Sequence, residues 1–294
     1  MEKHPAKWWK SGEKGLAVCD LCPRGCHIAP GKTGFCGVRR NFDGALYSTS
    51  YGYPVALQVD PIEKKPLSEY LPGTKTFSFG TYGCNLDCCF CQNYHLSRGG
   101  YDEGRKYDYV EPEVIVELAF THNCHSVAFT YNEPTVFAEY AMDVAILARK
   151  EKLGTVLVSN GYITMEAARD LYPLIDAANI DMKGFSEGFY GAMTGSRLQP
   201  VLDSMKYFHS IGGHLEITNL VIPGQNDRDE LIIAWLDWVD KELDRNVPLH
   251  FSAYHPDYKF DGPPTDAQTL LHIRELAHKR GFHHIYLGNV FIAE

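Results

Sequence analysis

The chain has 294 residues, 45% of them hydrophobic and 22% charged, and carries a net charge of −9 from 28 basic and 37 acidic side chains. That length and apolar content suit one large globular domain with room for a small appendage, and the acidic balance argues against a nucleic-acid backbone as main partner. No stretch is long enough to span a bilayer and the start, MEKHPAKWWKSGEKG, lacks the apolar core of a secretory signal, so the nine cysteines read as thiols of a reducing, cytoplasmic protein rather than as disulfides.

Residues 19–40 read CDLCPRGCHIAPGKTGFCGVRR. Cys19, Cys22, Cys26 and Cys36 stand in a C-x2-C-x3-C-x9-C pattern, with Pro23, Gly25, Gly31, Gly34 and Gly37 supplying turns. Four thiolates in so short a segment can hold Zn²⁺ tetrahedrally or ligate an iron–sulfur cluster, and a segment too small to own a core gains order from such a staple. Unligated thiols in a loop are the plain alternative, and the spacing does not choose between the two metals. Trp8 and Trp9, just ahead, read as cover for core surface. Two β-prone runs, Gly44–Ser50 and Val55–Asp60, flank Tyr51-Gly52-Tyr53-Pro54 and predict a hairpin. The Pro-punctuated segment PIEKKPLSEYLPG then connects to the first main strand, Thr76–Tyr82.

Directly after that strand comes Cys84-Asn85-Leu86-Asp87-Cys88-Cys89-Phe90-Cys91-Gln92-Asn93. Cys84, Cys88 and Cys91 form a C-x3-C-x2-C triplet, and three closely spaced thiolates can ligate three corners of a cubane [4Fe–4S] cluster. The fourth iron then keeps an open position, which is what separates a catalytic metal site from a closed structural one. Buried free thiols, or zinc with a ligand borrowed from elsewhere, are the competing readings; this spacing is unlike the common zinc patterns. Cys89 and Cys124 read as packing thiols.

Beyond the triplet the chain settles into alternation. Helices are predicted over Pro112–Thr121, Pro134–Lys150, Met165–Leu174, Phe185–Met193, Gln199–Ile211, Asp227–Leu243 and Asp266–Arg280. Strands are predicted over Ser126–Thr130, Gly154–Val158, Ala178–Met182, His214–Val221, Leu249–Tyr254 and His283–Gly288. Strand–helix units repeated this often predict an α/β fold, a parallel sheet wrapped by helices and rolled into a partial or complete (β/α) barrel. We expect a Cys-rich N-terminal extension with its hairpin over 1–74 and the barrel over 75–294. Chemistry in such folds sits beyond the carboxyl ends of the strands, which is where the triplet lies.

Later strand ends carry polar groups suited to a zwitterionic small molecule. Thr130-Tyr131-Asn132-Glu133-Pro134 puts a carboxylate beside a helix start, able to accept from an α-ammonium group or simply to cap the helix. Ser159-Asn160-Gly161-Tyr162 offers short polar side chains for hydroxyls or a carboxylate, or an ordinary Asx turn. In Asp181-Met182-Lys183 the outer two residues share a face, as a zwitterion clamp or as a structural ion pair. His255 follows the next-to-last strand, where the other ends converge.

The triplet, with Phe90 just before its last cysteine, resembles the signature of the radical S-adenosylmethionine (SAM) enzymes, and the strand ends resemble the branch typified by pyruvate formate-lyase activating enzyme. The resemblance implies that Cys84, Cys88 and Cys91 ligate a [4Fe–4S] cluster, that Phe90 packs near the adenine of SAM, and that Asn132, Glu133, Ser159, Asn160, Asp181, Lys183 and His255 fix SAM. It further implies a monovalent cation at Asp181 and Ser159 and an electron donor such as flavodoxin or ferredoxin. The family usually has Gly-Gly-Glu-Pro where this chain has Tyr131-Asn132-Glu133-Pro134. More closely still, CxxCPRGC…GFCGVR, PIEKKPL, FGTYGCNLDCCFCQN, TYNEP and PLHFSAYHPDYK resemble the radical SAM member of the AmmeMemoRadiSam three-protein system, from Cys19 to Val290. The activity implied is reductive cleavage of SAM to a 5′-deoxyadenosyl radical that abstracts hydrogen from a small molecule or a protein, glycyl-radical-enzyme activation included. A structural or electron-transfer iron–sulfur protein without SAM chemistry, and a zinc-stapled barrel hydrolase, are the alternatives.

Overall fold

A computed structural model of the chain describes residues 3–102 and 106–291. Its centre is a sheet of β1 (Ala56–Pro61), β2 (Lys75–Gly80), β3 (Ser126–Phe129), β4 (Gly154–Ser159), β5 (Ala177–Asp181), β6 (His214–Val221), β7 (Leu249–Ala253) and β8 (Ile285–Gly288). Spatial order follows chain order; β1 is antiparallel to β2 and every later pair is parallel. The edges curl toward each other: Glu69, in the connector between β1 and β2, accepts hydrogen bonds from His284 Nδ1 (2.9 Å) and from the hydroxyl of Tyr286 in β8. The expected (β/α) barrel is therefore present in its partial form.

Residue size sorts the two faces of the sheet. Phe77, Phe79, Val127, Phe129, Leu157 and Ile180 point to the helices, whereas the small Ala128, Val156 and Ala177 face inward and meet Ile62 and Leu67 of the connector. The longer helices, α1 (Pro112–Thr121), α2 (Ala138–Lys150), α3 (Met165–Leu171), α4 (Gln199–Ser210), α5 (Asp229–Glu242) and α6 (Ala267–Lys279), cover the outside. In α2, Ala141, Val144, Ala145 and Ala148 recur at three- and four-residue spacing and bury one stripe. The helix predicted from Pro134 opens with a 3₁₀ turn, Pro134–Phe137, before α2 begins. Thr164 caps α3 by accepting from Ala167 N at 3.4 Å, as its position predicts. Among the described residues, no helix is long and apolar enough to cross a membrane.

The predicted hairpin between Gly44–Ser50 and Val55–Asp60 does not form. Ala45–Ser48 pairs instead with Arg39–Phe42, across Asp43-Gly44, and Ala56–Pro61 is the edge strand β1 of the main sheet. Asp43 (φ 53°) and Gly44 (φ 92°) both adopt positive φ, the backbone of a tight hairpin turn that an Asp-Gly pair favours over Tyr-Gly-Tyr-Pro. The N-terminal extension adds two small sheets and shares a continuous apolar core with the barrel. It is fastened by a buried, forked ion pair from Arg39 Nη2 to both oxygens of Glu139 (2.8 and 2.7 Å), and by Trp8 Nε1 donating to Asp170 (2.9 Å).

At the amino ends of the strands, buried Glu216 holds the connector across the barrel. Its oxygens accept from the backbone of Ser68 and Glu69 (2.9 Å each), from His214 (2.9 Å) and from His250 (2.6 Å). Burial alone would raise this carboxyl, but those donors outweigh it and bring it down to about 2. A depressed carboxyl contributes stability that is complete above its ordinary value of 4.5 and is lost as pH falls toward about 2. Glu216→Gln should therefore lower unfolding free energy at pH 7 by about 3 kcal/mol, and the gap to wild type should narrow between pH 4.5 and about 2. Urea denaturation at several pH values measures both.

Candidate active site

The triplet loop is held in place by backbone contacts from four directions. Arg98 Nη2 donates to Cys84 O (2.6 Å) and Leu86 O (2.5 Å), Asp87 N to Thr194 O (2.9 Å), Cys89 N to Met193 O (3.0 Å), and Lys259 N to Cys89 O (2.9 Å). Cys84 Sγ also accepts from Leu86 N (3.4 Å) and from the Asn160 amide (3.7 Å), while Cys91 Sγ lies 3.4 Å from Ser97 Oγ. Hydrogen bonds of this kind to ligating sulfur steady the ligand and tune the metal. Burial pushes the Cys84 thiol up, helped by the nearby Glu133 charge. It pushes Cys88 up to about 12, against the pull of Lys183. Such thiols are neutral at pH 7 until a metal takes the proton's place, so cluster assembly must release protons.

Glu133, Ser159 and Asn160, expected to fix SAM, are engaged with one another. Glu133 Oε1 accepts from Ser159 Oγ (2.7 Å) and Thr135 N (2.9 Å), and Oε2 from Asn160 N (2.8 Å). Burial drives the Glu133 carboxyl up and these donors oppose it. The carboxylate thus rivets the β3 turn to the β4 turn. Asn160 passes its side-chain amide to Asn85 Oδ1 (2.9 Å), and Asn132 binds Thr81 N (2.9 Å), Thr81 Oγ1 (3.1 Å) and Gly83 O (2.9 Å), so both asparagines clasp the approach to Cys84. The clasp needs Gly80: a Cβ there would lie 2.4 Å from Thr130 O. Asn160→Ala should slow any chemistry at the loop about tenfold while iron content holds; an unchanged rate at unchanged iron content would show that the clasp is dispensable.

Tyr131, where the sequence resemblance leads one to expect a glycine, adopts a positive φ of 73°. A left-handed aromatic is strained, and its hydroxyl is anchored to Asp60 Oδ2 (2.7 Å), which also binds buried Lys65 (2.7 Å). Asp181 and Lys183 form a 2.7 Å ion pair at the end of β5. Burial would lower the Lys183 ammonium, yet Asp181 and the neighbouring Cys88 keep it charged well above its ordinary range. Asn226 Nδ2, donating to Lys183 O (2.8 Å), and Asn219 Nδ2, donating to Met182 O (2.7 Å), hold that strand end. Phe90 is buried with its ring centroid 6.2 Å from that of Phe189. His255 is exposed and stands outside the buried network. Sequence reasoning missed Ser97, Arg98, Asn85 and the asparagines at 219 and 226; only Asn85, lying inside the triplet, carried a signal.

A family model described as the radical SAM superfamily matches residues 79–236, more than half of the chain and the span that contains the triplet and the riveted turns. The chain belongs to the radical SAM superfamily. It is 42% identical over 286 residues to an uncharacterised protein of Methanocaldococcus jannaschii, covering 97% of this chain and 85% of that protein. It is homologous to the pyruvate formate-lyase activating enzymes: that of Escherichia coli K12, pyruvate formate-lyase 1-activating enzyme, is 23% identical over 228 residues, 71% of this chain and 91% of its own length. The fold matches a radical SAM methyltransferase from Sphaerobacter thermophilus with a TM-score of 0.57 at 12% identity, over 75% of this chain and 68% of that one. Radical SAM membership implies a [4Fe–4S] cluster and SAM, and the residues present suit both. The three triplet thiols, all partly buried, share one braced loop, with the Lys183–Asp181 pair beside Cys88. Thr218 Oγ1, next to Asp181 across the β5–β6 register, and Gln92 Nε2, next to Cys91, are buried polar atoms without a protein hydrogen bond, as expected where a ligand completes the site.

Proposed function

We propose that this radical SAM protein cleaves SAM reductively and directs the resulting radical to hydrogen abstraction from a bound substrate. The observation that carries the reading is the Cys84, Cys88 and Cys91 loop at the carboxyl end of β2, with the Lys183–Asp181 pair beside it. When bound, the cluster and SAM would supply one-electron chemistry at the SAM sulfonium and so the radical that abstracts hydrogen. The chain's own residues do the rest: they bind, orient and exclude water. Cys84, Cys88 and Cys91 would hold three irons; Lys183 would pair with the SAM carboxylate and Asp181 with its ammonium group or a monovalent cation shared with Ser159. Phe90 would line the adenine side, His255 would close over SAM from the rim, and Asn132, Glu133 and Asn160 would shape the pocket from behind.

A protein glycyl Cα–H is the first substrate class to test, because the activating-enzyme relative aligns over most of its own length. We assign the chain to the AmmeMemoRadiSam group on its motifs and to the cytoplasm, whose reducing conditions suit thiol-ligated iron. The chemistry belongs to the barrel, 75–294, and the extension, 1–74, lends it β1 and a further set of four thiols for zinc or iron–sulfur. An electron carrier of the flavodoxin or ferredoxin type would find a cationic rim in this otherwise acidic chain. There Arg24 and Arg98 stack on exposed Phe35 (3.4 and 5.2 Å to the ring centroid), and Arg197 reaches Pro23 O. The deciding experiment is anaerobic reconstitution with iron and sulfide followed by dithionite and SAM. Release of 5′-deoxyadenosine and methionine is expected; normal iron binding with neither product would leave an electron-transfer or structural iron–sulfur protein.

A further inference from the structure

Four thiols remain that SAM cleavage does not use. Cys19, Cys22, Cys26 and Cys36 line one buried cavity whose wall also includes Asn85 and Val136. Yet among the described residues no three Cys, His, Asp or Glu side chains converge closely enough to hold a single metal ion. Zinc would draw four sulfurs to about 2.3 Å from one point. Sulfurs distributed around a cavity suit a cubane instead, which offers each of them a separate iron. Cys84, Cys88 and Cys91, in the loop where family membership implies a cubane, likewise do not converge on a single-ion site.

The wall of the cavity is built from the active-site loops themselves. Asn85 is the residue after Cys84, and Val136 belongs to the turn that follows Glu133. Arg24, between Cys22 and Cys26, donates from Nε to Asn85 O and from Nη2 to Gly195 O (2.9 Å), tying the cysteine segment to both sides of the triplet loop. The two cysteine sets therefore meet at Asn85.

We propose that Cys19, Cys22, Cys26 and Cys36 ligate a second [4Fe–4S] cluster that serves as a one-electron entry port to the Cys84 loop. The change is one electron in, from a reduced carrier protein of the flavodoxin or ferredoxin class, and one electron out toward Cys84; no bond is made or broken and no proton moves. The port role rests on the SAM-cleavage reading, whereas the cluster does not.

The test uses the full-length, anaerobically reconstituted protein, assayed for iron, sulfide and zinc and by electron paramagnetic resonance with and without SAM. About eight irons per chain and no zinc are expected, with SAM perturbing one of two reduced signals. The Cys22→Ser, Cys36→Ser variant should lose about half of its iron and keep the SAM-perturbed signal. Reduced flavodoxin should then develop that signal more slowly, while dithionite still develops it in full. One zinc with about four irons per chain in the wild type overturns the cluster, and unchanged flavodoxin reduction in the variant overturns the port. Should the variant not fold, the wild-type metal count decides the cluster and stopped-flow reduction decides the port, because the signal insensitive to SAM must appear first. A wild type with about eight irons and no response to SAM would sink the SAM reading and leave the second cluster standing.

Discussion

A Cys88→Ala variant is expected to lose 5′-deoxyadenosine formation entirely, a fall of about 10⁶-fold or more if the chemistry is enzymatic at all. Two thiolates cannot replace three, because the cubane needs one sulfur per protein-ligated iron. The variant should still fold. Cys88 is one of four partly buried thiols in a loop whose backbone is carried by Arg98, Thr194, Met193 and Lys259, none of which depends on the Cys88 side chain. Circular dichroism would confirm the fold, iron analysis the missing cluster, and chromatography of the reaction the missing product. Product formation at anything near the wild-type rate would overturn the assignment of the triplet as the catalytic ligand set.

The second large effect belongs to Lys183. Its ammonium is buried and paired with Asp181 at 2.7 Å, and that carboxylate keeps it charged at neutral pH against the pull of burial. Lys183→Met keeps most of the volume and removes the charge, leaving Asp181 without its partner just where a SAM carboxylate would have to sit. Loss of one member of such a pair should weaken SAM binding by about 2 kcal/mol, or about 30-fold, with iron content unchanged. Titration calorimetry on the reconstituted protein reads the affinity directly. Unchanged affinity would reduce Lys183–Asp181 to a structural ion pair.

Much of this architecture was legible from local pattern. Every main strand after the triplet and most of the long helices lie within a residue or two of their predicted places, because alternation of strand and helix is a short-range signal; the exceptions are α2 and α3, whose predicted ends at Pro134 and Leu174 are 3₁₀ turns. The hairpin failed for the complementary reason. Val55–Asp60 reads equally well as half of a hairpin or as an edge strand, and only its register with Lys75–Gly80 distinguishes the two. At the site, the residue types were legible and their hydrogen-bond partners were not. Glu133 was expected to face SAM, yet its carboxylate is spent on Ser159, Asn160 and Thr135, contacts up to 27 residues away in sequence. His255 was expected among the converging ends and stands exposed.

From the sequence alone came the superfamily signature, the thiol count and the placement of the triplet at the carboxyl end of a strand, since spacing and periodicity are local properties of a chain. Tertiary structure decided which polar groups are free to meet a ligand. A buried carboxylate or amide takes whichever donor folding brings within hydrogen-bond reach, and that choice is made across the sheet. It also decided that the two cysteine sets, separated by some fifty residues of chain, share Asn85 as a common wall.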